Sequence, residues 1–283
     1  MKGFGGDWTE KKIEILVEYA KAYLTIMSKN HYWKLLYFDG FAGTGMIYKD
    51  NKIDIHVTIG AAKRIVEIDE PISFDQYYFV EKNPNNAKRL SKNTKEAFPQ
   101  KKVSIKEGDC NYELKKLAKY LKVEGNKKYR VLAYIDPCGM ELEWASIEEL
   151  KGTKIDIWVL VPTGLGVNRL LKRDGNISDA WLKRLVNFLG LSEEEIKRYF
   201  YKNKTELTLF GEVTNQTKEA DAISKSAELY RKRLKEIFDF ISEPFILQNS
   251  KGTTMYHLFM ASNNKVALKI ANDIIKKYNR KGG

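Results

Sequence analysis

Short apolar runs alternate along the chain with polar segments of helical periodicity. The runs are rich in β-branched and aromatic residues and predict strands at Leu35–Phe38, Tyr77–Val80, Val103–Ile105, Val131–Ile135 and Ile155–Val161. The polar segments predict helices at about residues 60–69, 84–97, 111–123 and 142–151. Because strand and helix signals alternate, we expect right-handed βαβ crossovers and a parallel sheet covered by helices on both faces.

Two regions depart from that alternation. Residues 9–28 carry apolar side chains at steps of three and four residues, which predicts an amphipathic N-terminal helix. Residues 167–204 contain two or three helical patterns, and Ser192 followed by Glu195 is typical of a capping box. We therefore expect a helical insertion after the fifth strand.

The C-terminal region predicts a β-hairpin followed by a helix. Two strand-like runs, Pro244–Gln248 and Tyr256–Ala261, are joined by Asn249-Ser250-Lys251-Gly252, which is turn chemistry. A final helix is expected at about residues 264–278. The predicted fold class is thus α/β, with a Rossmann-like sheet of parallel strands closed by an antiparallel hairpin, in one domain over residues 1–283.

Composition excludes several classes of protein. The chain has 283 residues, of which 43% are hydrophobic, so it can bury enough surface to fold. No apolar run approaches the roughly 20 residues of a membrane span, and Met1–Trp8 lacks the pattern of a signal peptide. We expect a cytoplasmic protein that does not interact with membranes.

The charge is strongly basic, with 49 Lys and Arg against 37 Asp and Glu and a formal net charge of +12. Such an excess favours a polyanionic partner such as DNA or RNA, although solvated helix faces explain it equally well. Half of it lies in residues 101–130, which hold ten basic and four acidic residues.

The first predicted strand runs into Asp39-Gly40-Phe41-Ala42-Gly43-Thr44-Gly45. Gly43 and Gly45 allow the backbone to approach a ligand closely and to adopt conformations that other residues avoid. Asp39, at the strand end, can accept a hydrogen bond from a ligand ammonium. The alternative is a glycine turn that serves packing alone.

Acidic residues also follow the second and third strands. Glu81 stands where ribose hydroxyls are bound in open α/β sheets, provided that residues 46–59 form an insertion. The alternative is an exposed glutamate at a helix entry. Asp109 follows the third strand, where it can also serve as a plain helix N-cap.

The fourth strand ends in Asp136-Pro137-Cys138-Gly139, an Asp-Pro step beside the glycine turn. Simple turn chemistry is one explanation. After the fifth strand, Arg169 can reach a phosphate or carboxylate, or it can belong to an ordinary loop that leads into a helix.

Cys110 and Cys138 cannot form a disulfide framework or a zinc cage by themselves, and the three histidines show no ligand spacing. We therefore expect no metal site.

The Asp39–Gly45 segment resembles motif I of the class I S-adenosylmethionine-dependent methyltransferases, and the predicted topology is theirs. The resemblance implies that Asp39, Gly43, Gly45 and Glu81 bind S-adenosylmethionine and that Asp109 accepts its adenine amino group. It also implies that Asp136 and Pro137 orient a target exocyclic amine, with Cys138 and Gly139 beside the substrate. Cys138 departs from the family pattern, which commonly has an aromatic residue there.

Four segments, Trp8–Leu16, Asp39–Gly45, Val161–Leu170 and Tyr256–Ser262, resemble the bacterial three-Cys-motif partner protein family. That resemblance implies a methyltransferase-like fold and a partner protein that carries the three cysteines. Separately, Asp136–Gly139 is similar to the D-P-[F/Y]-G element of tRNA guanine-N2 methyltransferases.

Two functions follow as hypotheses. The first is methylation of an exocyclic amino group of a nucleic acid, with S-adenosylmethionine as cofactor and Arg169 as a substrate contact. The second is a non-catalytic adaptor of the same fold, which docks to a three-Cys-motif partner.

Overall fold

The computed structural model describes residues 7–44, 46–47, 58–208 and 211–280. The strands, in chain order, are β1 (Lys34–Asp39), β2 (Met46–Ile47), β3 (Thr58–Ile59), β4 (Gln76–Glu81), β5 (Val103–Glu107), β6 (Tyr129–Ile135), β7 (Ile155–Val161), β8 (Tyr201–Thr208), β9 (Gly211–Lys218), β10 (Phe240–Ile241), β11 (Phe245–Gln248) and β12 (Thr254–Ser262). The helices are α1 (Asp7–Met27), α2 (Ala61–Val66), α3 (Pro84–Ala97), α4 (Cys110–Lys122), α5 (Trp144–Glu148), α6 (Asp179–Leu189), α7 (Glu193–Phe200), α8 (Ala222–Lys235) and α9 (Lys265–Arg280). A 3₁₀ turn covers Glu124–Asn126 and a π-helical turn covers Thr163–Asn168.

The central sheet has the strand order β5-β4-β1-β6-β7-β12-β10, and β11 also pairs with β12. The first five strands are parallel, whereas β12 is antiparallel to β7, β10 and β11. This confirms the predicted fold class, a mostly parallel Rossmann-like sheet closed by an antiparallel C-terminal strand.

The sheet separates two hydrophobic clusters because successive side chains of a strand point to opposite faces. In β1, Leu35 and Tyr37 join a cluster with α1, α2 and α9, whereas Leu36 and Phe38 join a cluster with α4, α5 and α8. Buried residues of α6 and α7 belong to this second cluster. The helices after β7 therefore extend the layer that covers one face.

The structure differs from the prediction at the end of the insertion. Residues 201–204 do not belong to a helical segment but begin β8, which forms an antiparallel hairpin with β9. The strands carry mostly polar residues and pair only with each other, so no apolar stripe revealed them in the sequence.

Among the described residues, no helix is long and apolar enough to cross a bilayer.

Gly190 ends α6 in the left-handed conformation, with φ of 64°, and an added Cβ would lie 2.2 Å from Cδ1 of Trp144. Gly152 also has positive φ, 79°, but no atom of the described part of the chain lies within 4 Å of the same position. We expect Gly152→Ala to lose about 1–2 kcal/mol from backbone strain alone. Gly190→Ala should lose about 1–3 kcal/mol more, because Trp144 must move. Urea unfolding measures the free energy of unfolding of both variants. Equal losses would show that the contact with Trp144 adds no cost.

Candidate functional site

The candidate site lies where the order of the sheet reverses. The chain passes from β1 outward to β4 and β5, and then returns to the other side of β1 as β6 and β7. Ligands of open α/β sheets bind beyond the carboxyl ends of the strands at such a switch point. Asp39 ends β1 and Asp136 directly follows β6, so these two carboxylates flank the reversal.

Asp39 is almost completely buried, with 2% of its surface exposed. Its Oδ1 accepts a hydrogen bond from the backbone N–H of Phe41 at 3.1 Å. The pKa of Asp39 is raised to about 7, mainly by burial and in smaller part by the charges of Asp136 and Glu81, whereas the Phe41 N–H and Lys12 oppose the shift. The carboxylate form is therefore costly here, and a cationic ligand group would stabilise it.

The glycine turn after β1 serves both packing and access. A Cβ on Gly40 would lie 2.4 Å from Sγ of Cys110, so Gly40 is needed for close packing. Gly43 has φ of 61°, and no atom of the described residues lies within 4 Å of its Cβ position. None of the described residues therefore blocks the approach of a ligand to its backbone. Gly45 lies outside the described residues.

Glu81 and Asp109 both hold backbone N–H groups at the same edge. Oε1 of Glu81 accepts from the N–H of Asn83 at 2.7 Å. Oδ1 of Asp109 accepts from the N–H groups of Asn111 at 2.9 Å and Tyr112 at 3.2 Å. Asp109 is therefore the N-cap of α4. Since Oδ1 caps the helix, the predicted contact with an adenine amino group would use the other oxygen of Asp109, Oδ2.

Asp136 is held by two partners on one oxygen. Its Oδ2 accepts from Nζ of Lys12 at 2.5 Å and from the hydroxyl of Tyr134 at 3.0 Å. The side chain of Lys12 is only 9% exposed and that of Asp136 is 20% exposed. This ion pair joins α1 to the end of β6 and fixes the orientation of the carboxylate.

The loop after Asp136 is held by Asn111. Its Nδ2 donates to the carbonyl oxygen of Glu141 at 2.8 Å, and its Oδ1 accepts from the N–H of Glu143 and the hydroxyl of Ser146. Because Asn111 opens α4, the helix after β5 determines the course of the segment that begins with Asp136-Pro137.

Within that segment Pro137 is buried, Cys138 is exposed and Gly139 is half-buried. Partial burial, together with the charges of Asp136 and Glu141, raises the pKa of the Cys138 thiol although the residue as a whole is exposed. Burial likewise raises the pKa of Cys110. Both cysteines are therefore protonated at neutral pH and are poor nucleophiles.

The start of β12 brings two further side chains to this edge. Burial raises the pKa of the Tyr256 phenol, and the charges of Asp136 and Cys138 add to the shift. Because His257 pairs with Val161 at the end of β7, the neighbouring Tyr256 lies at the carboxyl edge of the sheet. Nδ1 of His257 lies 2.7 Å from Oγ1 of Thr163, and burial lowers its pKa to about 4. The imidazole is neutral at physiological pH and ties β12 to the π-helical turn.

Arg169 is exposed at the end of the π-helical turn. Among the described residues, no hydrogen bond or ion pair joins it to Asp39 or Asp136. The backbone beside it is fixed by Lys218, whose Nζ donates to the carbonyl oxygens of Asn168 and Leu171. The structure therefore does not bring Arg169 together with the acidic residues, although it leaves the guanidinium accessible.

Within the described ranges, no group of three or more His, Cys, Asp or Glu side chains is placed to share a metal ion.

Lys12 and Tyr256 are the residues that the motif analysis missed. Lys12 stands on the buried stripe of α1, at helical steps from Leu16, Tyr19 and Tyr23. A lysine on the apolar stripe of an amphipathic helix is a sequence signal for a buried counter-ion, because its charge needs a partner there. Tyr256 gave no such signal, since an aromatic residue in a strand is ordinary core composition.

The sequence matches no known family model, and no curated protein matches it. Solved structures with a similar arrangement include a Legionella pneumophila protein, at 16% identity and a TM-score of 0.45, covering 92% of this chain and 98% of that one. A second is Trm1 from Pyrococcus horikoshii in complex with S-adenosyl-L-methionine, at 11% identity and a TM-score of 0.41, covering 96% of this chain and 72% of that one. A third is spermidine synthase from Thermotoga maritima, at 9% identity and a TM-score of 0.42, covering 93% of this chain and 62% of that one. Likenesses this distant assign no activity, and the fold rests on the strand order itself.

Asp39→Asn should change how stability depends on pH. The folded protein holds the Asp39 proton up to about pH 7, whereas the carboxyl group of the unfolded chain loses it near the ordinary pKa of 3.8. Between these values the folded state binds more protons, so this group's contribution to stability falls as pH rises. We expect the variant to match the wild type near the lower value and to exceed it in stability at pH about 8, as measured by urea unfolding. Asp239→Asn, at an exposed position, is the control and should follow the wild type.

Lys12→Met should destabilise the fold by about 2–3 kcal/mol, because it leaves Asp136 without its counter-ion. Lys11→Met changes the neighbouring, less buried lysine in the same way and should be nearly neutral. In the double variant Lys12→Met/Asp136→Asn, part of the loss should be recovered, since no unpaired carboxylate remains. Equal unfolding free energies for the two single variants would show that the ion pair contributes nothing.

Proposed function

We propose that the protein is an S-adenosylmethionine-dependent methyltransferase that acts on an exocyclic amino group of a nucleic acid. The observation that carries the proposal is the placement of Asp136-Pro137 at the switch point, directly beside the glycine turn of β1. In this arrangement Asp136, a carboxylate of fixed orientation, lies next to Asp39, a carboxylate that suits a cationic ligand.

The residues present fit the cofactor. Asp39 is a buried carboxylate whose raised pKa makes it a receptor for a cation, and the ammonium of S-adenosylmethionine is one. None of the described residues blocks the backbone at Gly43. Glu81 and Asp109 stand at the ends of the next two strands and can accept from ribose hydroxyls and an adenine amino group. When bound, the cofactor would supply an electrophilic methyl group.

Asp136 would orient the target amine. Lys12 and Tyr134 hold Oδ2, so the proposed acceptor for the amine N–H is Oδ1. A hydrogen bond to a fixed oxygen directs the nitrogen lone pair and stabilises positive charge that develops on nitrogen. The Lys12 cation opposes that charge, which gives Lys12 the role of positioning Asp136 rather than of assisting the reaction electrostatically.

The choice of a nucleic acid as substrate rests on a group of exposed positive charges and an aromatic ring close to one of them. Arg169, Lys172 and Arg173 are exposed together where the chain leaves the π-helical turn, and Nζ of Lys172 lies 4.7 Å from the ring centroid of Trp181. Exposed cations beside an aromatic ring suit a phosphate backbone. The proposal includes a three-Cys-motif protein as partner, supported by the four sequence segments that resemble that family.

Calorimetry with S-adenosylmethionine and transfer of a labelled methyl group to bulk RNA and DNA test the proposal. We expect Asp39→Asn to weaken cofactor binding about tenfold, since a charge-assisted hydrogen bond is lost. Asp136→Asn should retain cofactor affinity and lower the rate of transfer about a hundredfold, because the amine is no longer oriented.

Asp239→Asn is the matched control and should leave both measurements unchanged. If the wild-type protein, alone and with a three-Cys-motif partner, binds no S-adenosylmethionine, the enzymatic proposal is wrong. Cofactor binding without transfer to any nucleic acid would contradict the substrate class alone.

A further inference from the structure

A cavity of about 330 Å³ opens at the opposite, amino edge of the sheet. It is bounded by the starts of β6 and β7, the end of β12, the last turns of α1 and the start of α9. Because β12 is antiparallel to its neighbour, its end lies beside the starts of the parallel strands. This cavity is therefore separate from the candidate methyltransferase site at the carboxyl edge.

Positive charge dominates the lining. Arg130, Lys154 and Lys265 line the cavity together with one carboxylate, Asp156. Among the described residues, none of these three cations lies within ion-pair distance of a carboxylate. The cavity thus carries two cations in excess.

Asp156 does not present a bare carboxylate to a ligand. Its two oxygens accept hydrogen bonds from the hydroxyls of Tyr19, at 2.8 Å, and Ser262. Burial also raises its pKa. The carboxyl group is consequently satisfied within the protein.

Trp33 holds the cations in place. The Arg130 guanidinium carbon lies 3.4 Å from the centroid of the indole ring, and Nζ of Lys154 lies 5.2 Å from it. Stacking on an aromatic ring reduces the conformational entropy that a guanidinium loses when it binds an anion. The two cationic groups are therefore preorganised.

A helix N-terminus also favours an anion. The cavity reaches the first turn of α9, a helix of 16 residues whose N-terminus carries partial positive charge. Tyr23, a residue only 5% exposed, also lines the cavity.

We propose that this cavity binds the phosphate group of a small phosphate monoester, with Arg130 and Lys154 as its principal contacts. The dianionic charge of such a group matches the two excess cations. Arginine and a helix N-terminus together recognise phosphate oxygens. The volume lies at the lower end of the range of small-molecule pockets, roughly 300–1,000 Å³, which suits a small metabolite.

Ribose 5-phosphate is the probe, with inorganic phosphate as a minimal ligand and ribose as the uncharged control, and calorimetry measures the affinity. We expect saturable binding of both phosphates and none of ribose. Arg130→Met and Lys154→Met should each weaken binding about tenfold or more, since a charge-assisted contact is lost.

Lys128→Met is the matched control, because Lys128 is an exposed lysine of the same edge that does not line the cavity. It should bind ribose 5-phosphate as the wild type does, and so should Asp39→Asn, which separates this site from the proposed cofactor site. Circular dichroism checks that each variant folds, and Lys154→Met carries the test if Arg130→Met does not fold.

Three results would overturn the proposal. They are the absence of saturable phosphate binding at millimolar concentration, an equal loss in Lys128→Met and Lys154→Met, and binding of a 5′-phosphorylated oligonucleotide without binding of ribose 5-phosphate. The last result would assign the cations of this edge to a nucleic acid rather than to a small ligand.

Discussion

The ion pair between Lys12 and Asp136 is the interaction on which the arrangement of the carboxyl edge depends. Asp39, Glu81 and Asp136 bring three acidic groups to adjacent strand ends, and burial makes the charge of Asp39 costly. Lys12 reaches this edge from α1 and pairs with Asp136. The N-terminal helix is therefore part of the site and not an accessory to the sheet.

The single positive charge of Lys12 does not fully offset the cost of the buried carboxylate of Asp39, because the pKa of Asp39 remains raised. The folded protein retains a carboxyl group whose charge burial makes costly. A fold selected for stability alone would replace such a group, whereas a fold that binds a cation benefits from it. At Gly43, next to the same carboxylate, none of the described residues blocks the backbone, so the electrostatic and steric features of the turn serve one purpose.

The sheet could be predicted from the sequence because each central strand is a continuous apolar run between polar, helix-periodic segments. The candidate acids were found for the same reason, since each follows directly after such a run. The hairpin of β8 and β9 could not be found this way, because its strands are polar and pair only with each other. Asp109 shows another limit: the sequence left the N-cap and the ligand contact as alternatives, and the structure shows the cap. Lys12 was missed because a charged residue in a helix is ordinarily solvated.

The helix α1 and the strand β6 both extend from one edge of the sheet to the other. β6 begins near Arg130 and leads to Asp136, while α1 places Lys12 on Asp136, Tyr19 on Asp156 and Tyr23 at the amino-edge cavity. A helix turns by about 100° per residue, so a shift of α1 by one residue would remove Lys12 and Tyr19 from their carboxylates together. The register of this single helix is therefore a shared mechanical constraint, through which both edges of the sheet gain or lose their polar contacts at once.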